Sequence, residues 1–149
     1  MQIKDIKPVN FLFFRTETRV SELAKFLPVS QEIFREAVLR FIPITGPVHW
    51  HYTGLTDMEK PFTLEVCVPV AGIPKEYDGL FHFKRTDSFK CVAVIHEGSW
   101  DKLPDTYGKI FAFLGENKLQ PSGVHRELYI NVDFTHPEAN TTEVQFGIL

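Results

Sequence analysis

Gly46-Pro-Val-His-Trp-His-Tyr52 returns later in the chain as Gly123-Val-His-Arg-Glu-Leu-Tyr129. Each stretch follows a helical segment, one around Phe34 and one around Phe111. The spacings agree, since 111 − 34, 123 − 46 and 129 − 52 are each 77. Thr63-Leu-Glu-Val66 recurs as Thr141-Thr-Glu-Val144 at an offset of 78, and Leu27-Pro28 recurs as Leu103-Pro104 at 76. Four landmarks in one order mark a duplicated unit. The first unit spans about residues 1–75 and the second about 76–149, within a single domain.

Each unit reads as strand, helix, strand, strand. Val9 to Arg15 is apolar and aromatic, and Phe34, Ala37, Val38 and Phe41 recur at i, i+3, i+4 and i+7 of a helix. Pro43 and Gly46-Pro47 end that helix, and strands follow over 48–53 and 62–70. In the second unit, Cys91 to His96 is a strand and Pro104 opens a helix with Tyr107, Ile110, Phe111 and Leu114 on its apolar stripe. Strands over 124–131 and 142–148 close it, with short edge strands expected over 3–6 and 80–84. The fold class expected is α+β: two β-α-β-β units about a pseudo-twofold, an antiparallel sheet with both helices on one face. A groove between the helices is then the natural place for a ligand.

Composition narrows the partners. Lys and Arg number 16 against 19 Asp and Glu, a net charge of −3 that argues against nucleic acid or an anionic membrane. No apolar run reaches the length of a membrane span, and the N-terminus lacks the apolar core of a signal peptide. A soluble cytoplasmic domain is the expectation, with Cys67 and Cys91 as buried free thiols. Fourteen Phe, four Tyr and two Trp are enough for both a core and an aromatic-lined cavity.

Alternation along the penultimate strand puts Glu127, Tyr129 and Asn131 on one face and Arg126, Leu128 and Ile130 on the other. The 77-residue offset makes Trp50 and Tyr52 their counterparts, so Trp50, Tyr52, Glu127 and Tyr129 converge. A carboxylate among three rings suits a flat organic cation, or a general acid or base. The competing reading leaves Glu127 on a solvated face, paired with Arg126 or Lys118. His49-x-His51 and His125 lack a further ligand at a metal-site spacing and read as surface histidines, so neither metal nor cofactor is expected. Lys84-Arg85 with Lys90 reads as a solvated turn. Trp100 either closes one end of the groove or staples the helix entry.

Three segments together resemble the GyrI-like effector-binding family, which includes the ligand domains of bacterial AraC-type and MerR-type transcription activators. They are Val92-Ala-Val-Ile-His-Glu-Gly98-Ser-Trp100, Leu103-Pro-Asp-Thr-Tyr107 and Arg126-Glu-Leu-Tyr-Ile-Asn131. Glu65-Val-Cys-Val-Pro-Val70 matches the same family's closing strand in the first unit. The resemblance implies a duplicated β-α-β-β fold and a groove for hydrophobic, often cationic, small molecules. It places an acidic residue at the groove floor, Glu127, with Tyr129, Trp100 and Tyr107 at the family's aromatic positions. Trp50 and Tyr52 come from the repeat, and Phe111 from the helix stripe. This chain departs from the pattern at Gly98-Ser99, at Trp100, over Asn131, Asp133 and Pro137, and at Phe146-Gly-Ile148. Activators of this kind carry a DNA-binding segment ahead of the ligand domain, so the resemblance implies a stand-alone effector domain that senses or sequesters its ligand. Two alternatives stay open: a hydrolase of reactive electrophiles using Glu127 and Tyr129, and a gyrase-inhibitor-like interaction protein.

Overall fold

The computed structural model describes residues 1–149. Its strands are β1 (Gln2–Ile6), β2 (Asn10–Thr18), β3 (His49–Thr53), β4 (Phe62–Val70), β5 (His82–Arg85), β6 (Phe89–Glu97), β7 (Pro121–Asn131) and β8 (Thr141–Ile148). Its two long helices are α1 (Leu27–Leu39) and α2 (Leu103–Glu116), each entered through a short 3-10 turn and a proline in its first turn. All eight strands join one antiparallel sheet in the order β1-β6-β8-β7-β3-β4-β2-β5.

That order is a palindrome of the two units. The first unit contributes β3-β4-β2 and the second β7-β8-β6, and they meet where β3 pairs with β7. Trp50 lies opposite Glu127 at this seam, and 127 − 50 is again 77, so this pair sits on the pseudo-twofold itself. The outermost strands are exchanged. β1, which opens the first unit, pairs with β6 of the second, and β5, which opens the second, pairs with β2 of the first.

Both helices pack on one face of the sheet. Under α1, Ile33 and Ala37 bury against Leu12, Leu64, Val66 and Val68; under α2, Ile110 and Leu114 bury against Val92 and Val144. Removing the Ile, Leu and Val side chains among them from water supplies roughly 1.5–3 kcal/mol each. The expected stripe of α1 needs correction. Phe34 is 42% exposed and Val38 more so, while Phe41 lies beyond the helix at 93% exposure with φ 56°. The sheet is met by Ile33 and Ala37 instead, because Phe34 belongs to a second face of α1 described below. Phe111 of α2 is likewise half out of the core at 55% exposure.

Both helices end by the same device. Ile42 N–H donates to Ala37 O and Phe41 N–H to Val38 O, with Phe41 left-handed. Leu119 N–H donates to Leu114 O and Lys118 N–H to Gly115 O, with Lys118 left-handed. This is the Schellman cap, here built without the usual glycine. It stops each helix before the downstream proline and glycine signals are reached.

The opposite sheet face carries no helix, yet its centre is buried. Phe11, Phe13 and Cys67 are buried there, and His49 and His51 are buried rather than lying on the surface as the sequence reading had them. His49 Nδ1 and His51 Nε2 are 3.2 Å apart, and Phe11 meets both rings edge-on. Burial, reinforced by the Arg126 charge, lowers His49 to about 3 and holds His51 well below its ordinary value. The Lys84 ammonium is not part of a solvated turn either: it sits 3.0 Å from Glu65 Oε1, while Arg15 holds Oε2 at 2.9 Å. Cys67 and Cys91 are free buried thiols, raised by burial to about 12 and about 11. No helix is long and apolar enough to cross a membrane.

Candidate functional site

Alternation in β3 and β7 puts Trp50, Tyr52, Glu127 and Tyr129 on the helix-bearing face at the seam. Glu127 is 7% exposed. Its Oε1 accepts from Tyr52 at 3.0 Å and from Tyr129 at 2.7 Å, and its Oε2 accepts from Tyr107 on α2 at 2.5 Å. Burial, and then the Glu127 charge, hold all three phenols well above their usual range, so they remain donors. No Lys, Arg or His forms an ion pair with Glu127. Arg126 points to the other face and stacks on Phe89, its guanidinium carbon 3.9 Å from the ring centroid. The solvated reading of Glu127 is therefore displaced: the carboxylate is buried on neutral donors with no counter-charge of its own.

A cavity of about 740 Å³ opens over this carboxylate. Its floor is Trp50, Tyr52, Glu127 and Tyr129, with Pro47 and Val48 beside them. One wall is α1, through Leu27, Ser30, Gln31, Phe34 and Arg35. These positions stand at i, i+3, i+4, i+7 and i+8, a second stripe turned away from the sheet-facing Ile33 and Ala37. The other wall is Trp100 and Leu103 at the entry to α2, Ile130 at the end of β7, and Val132 and Phe134 just beyond it.

The last three were not legible from strict alternation, which sent Ile130 to the far face. The register slips between Tyr129 and Asn131, so two residues of β7 advance against one of β8. Ile130 and Val132 thereby join the cavity, while Asn131 turns to donate to Ala139 O at 2.9 Å.

Of the residues expected at a ligand site, Trp50, Tyr52, Trp100, Glu127 and Tyr129 line the cavity. Trp50 is fixed by Ser30, whose Oγ accepts its Nε1–H at 2.9 Å, and stands edge-on to Tyr129 at 6.0 Å. Trp100 donates to Thr142 at 3.1 Å and meets Tyr129 edge-on at 5.3 Å, so it closes one end of the cavity. Tyr107 stands behind Glu127 and holds it without lining the cavity. Phe111 is not brought to the cavity; it packs edge-on to Phe146 at 5.4 Å, one turn along α2 from Tyr107. His125 was missed as a structural part of the site. It stacks on Tyr52 at 4.6 Å and on Phe146 at 5.6 Å, with Tyr107 edge-on at 5.4 Å, and burial lowers it to about 4. A neutral imidazole thus spaces two of the phenols that hold Glu127. No group of three or more His, Cys, Asp or Glu side chains is placed to hold a metal ion.

The fold is α+β, and the family it matches is one of small-molecule-binding domains. The chain belongs to the GyrI-like family: residues 1–148 match its small molecule binding domain. Among solved structures it is similar to the C-terminal domain of EcmrR, with 22% identity, TM-score 0.80, and coverage of 99% of this chain and 96% of that one. It is also similar to SAV2435 bound to tetraphenylphosphonium, with 12% identity, TM-score 0.67, and coverage of 99% and 93%. A hydrolase encoded by lin2189 from Listeria innocua shares the fold too, with 12% identity, TM-score 0.65, and coverage of 99% and 91%. Among curated proteins none matches significantly.

Proposed function

We propose that this domain binds hydrophobic aromatic monocations in the cavity over Glu127, for sensing or sequestration in the cytoplasm. The observation that carries the reading is the buried Glu127 carboxylate, held by three phenols and matched by no cation of the protein. A cationic ligand completes that charge balance, and the ring faces of Trp50, Trp100 and Tyr129 add apolar area and cation–π attraction. SAV2435, of the same fold, is a tetraphenylphosphonium complex, which supports this ligand chemistry. The protein's net charge of −3 speaks against a direct nucleic-acid role for its own surface.

Hydrolysis is the second reading, supported by the shared fold of the Listeria innocua hydrolase. It asks Glu127 to activate water while its oxygens already accept three phenolic hydrogens, which favours binding. The test is calorimetry with tetraphenylphosphonium and a neutral tetraphenyl isostere on wild type and Glu127→Gln. The expected result is cation-selective binding that weakens about 10- to 100-fold in the variant, as for loss of a hydrogen-bonded charge worth about 1.5–3 kcal/mol. Equal affinity for cation and isostere, or for wild type and variant, would sink the charge role.

A further inference from the structure

The cavity has two electrical ends. Among its 18 lining residues Glu127 is the only acid and Arg35 the only base. Glu127 is buried at the floor, whereas Arg35 is exposed on α1 toward solvent. Arg35 forms no ion pair and no side-chain hydrogen bond, in contrast with Arg40 one turn further on, which is held by Glu36 and Asp78. Gln31 stands four residues before Arg35 on the same helix face, also in the lining, and its amide is likewise unpartnered. A guanidinium and an amide side by side are donors suited to a carboxylate, the guanidinium in bidentate fashion.

We propose that the ligand is bipolar: an apolar body with a cation at the end that enters first and a carboxylate at the end left toward solvent. Glu127 receives the cation, and Arg35 with Gln31 receives the carboxylate. A plain monocation satisfies the floor alone and leaves Arg35 as a mild repulsion at the mouth. This rests on the cation-binding reading and sharpens it by fixing orientation and ligand class.

The test uses an aryl-quaternary-ammonium probe with an ω-carboxyalkyl chain, and its methyl ester, which keeps the cation and the apolar body and lacks the anion. In wild type the acid should bind about two- to fivefold more tightly than the ester, the size expected of an exposed ion pair. That preference should shrink as salt is raised. Arg35→Gln should bring the two probes to equal affinity. An ester bound as tightly as the acid by wild type, or a preference unchanged in Arg35→Gln, overturns the bipolar ligand while leaving cation binding standing. Failure of wild type to bind either probe overturns both.

Discussion

Glu65 and Glu127 are buried to the same degree, 8% and 7% exposed, on opposite faces of one sheet, and the protein treats them in opposite ways. Glu65 is clamped between Lys84 and Arg15. Glu127 is given three neutral phenols and no cation, on the face where the cavity lies. A carboxylate already saturated by cations has nothing left for a ligand; one bonded only to neutral donors has no counter-charge of its own. Burial by itself does not mark a functional acid. The identity of its partners does.

Acid is the strongest way to strain both faces together, because each buries a neutral histidine. His125 is lowered to about 4 and His49 to about 3, against about 6.5 in an unfolded chain. The unfolded chain therefore takes up these protons first. Their contribution is complete above about pH 6.5 and is lost as the pH falls toward 4 for His125 and toward 3 for His49, with about 3 kcal/mol from His125 alone. Urea unfolding at pH 7 and pH 4 should show a smaller loss in His125→Phe than in wild type; equal losses would remove His125 from the account.

Next in size is the contrast between the two acids themselves. Glu127→Gln, with its 10- to 100-fold loss of cation binding, should leave ligand-free stability within about 1 kcal/mol, since the amide still accepts from phenols and no cation is stranded. Glu65→Gln should do the reverse: it strands Lys84 and Arg15 and costs about 1–2 kcal/mol, reduced from the fully buried case because Arg15 is half exposed. Its cation affinity should match that of wild type. If the two variants behaved alike in both assays, the distinction between the acids would be gone.

The smallest effect touches neither acid and sets the baseline. Phe41 caps α1 in a left-handed conformation while almost wholly exposed, so Phe41→Gly relieves backbone strain without opening the core. A gain of about 1 kcal/mol in unfolding free energy is expected, and a loss would mean that Phe41 packs against something.

The duplication was legible because it left an arithmetic trace, and the seam followed from it: a 77-residue offset and period-two alternation bring Trp50, Tyr52, Glu127 and Tyr129 together without any coordinates. What alternation could not show was the slip after Tyr129, which turns Ile130 and Val132 into the cavity. Periodicity also misjudged α1, since a helix that faces a sheet and a cavity at once has two apolar stripes, and Phe34 was assigned to the wrong one. The histidines of β3 were misread because nothing in the pattern reveals that a face without helices is sealed by its own Phe11 and Phe13. Tyr107 was matched by resemblance alone; its bond to Glu127 depends on how α2 lies over the sheet, which is set by the packing of Ile110 and Leu114 on Val92 and Val144.

The exchanged outer strands have a bearing on how the chain is made. During synthesis β1 leaves the ribosome far ahead of its partner strand: Gln2 pairs with Ala93, 91 residues later by 93 − 2. The outer edge of the first half stays open until β5 emerges to cover β2. Neither half can complete its own borders, so the nascent first half carries an unfinished sheet until translation is well into the second. The swap that locks the finished molecule is also what makes its birth a waiting period.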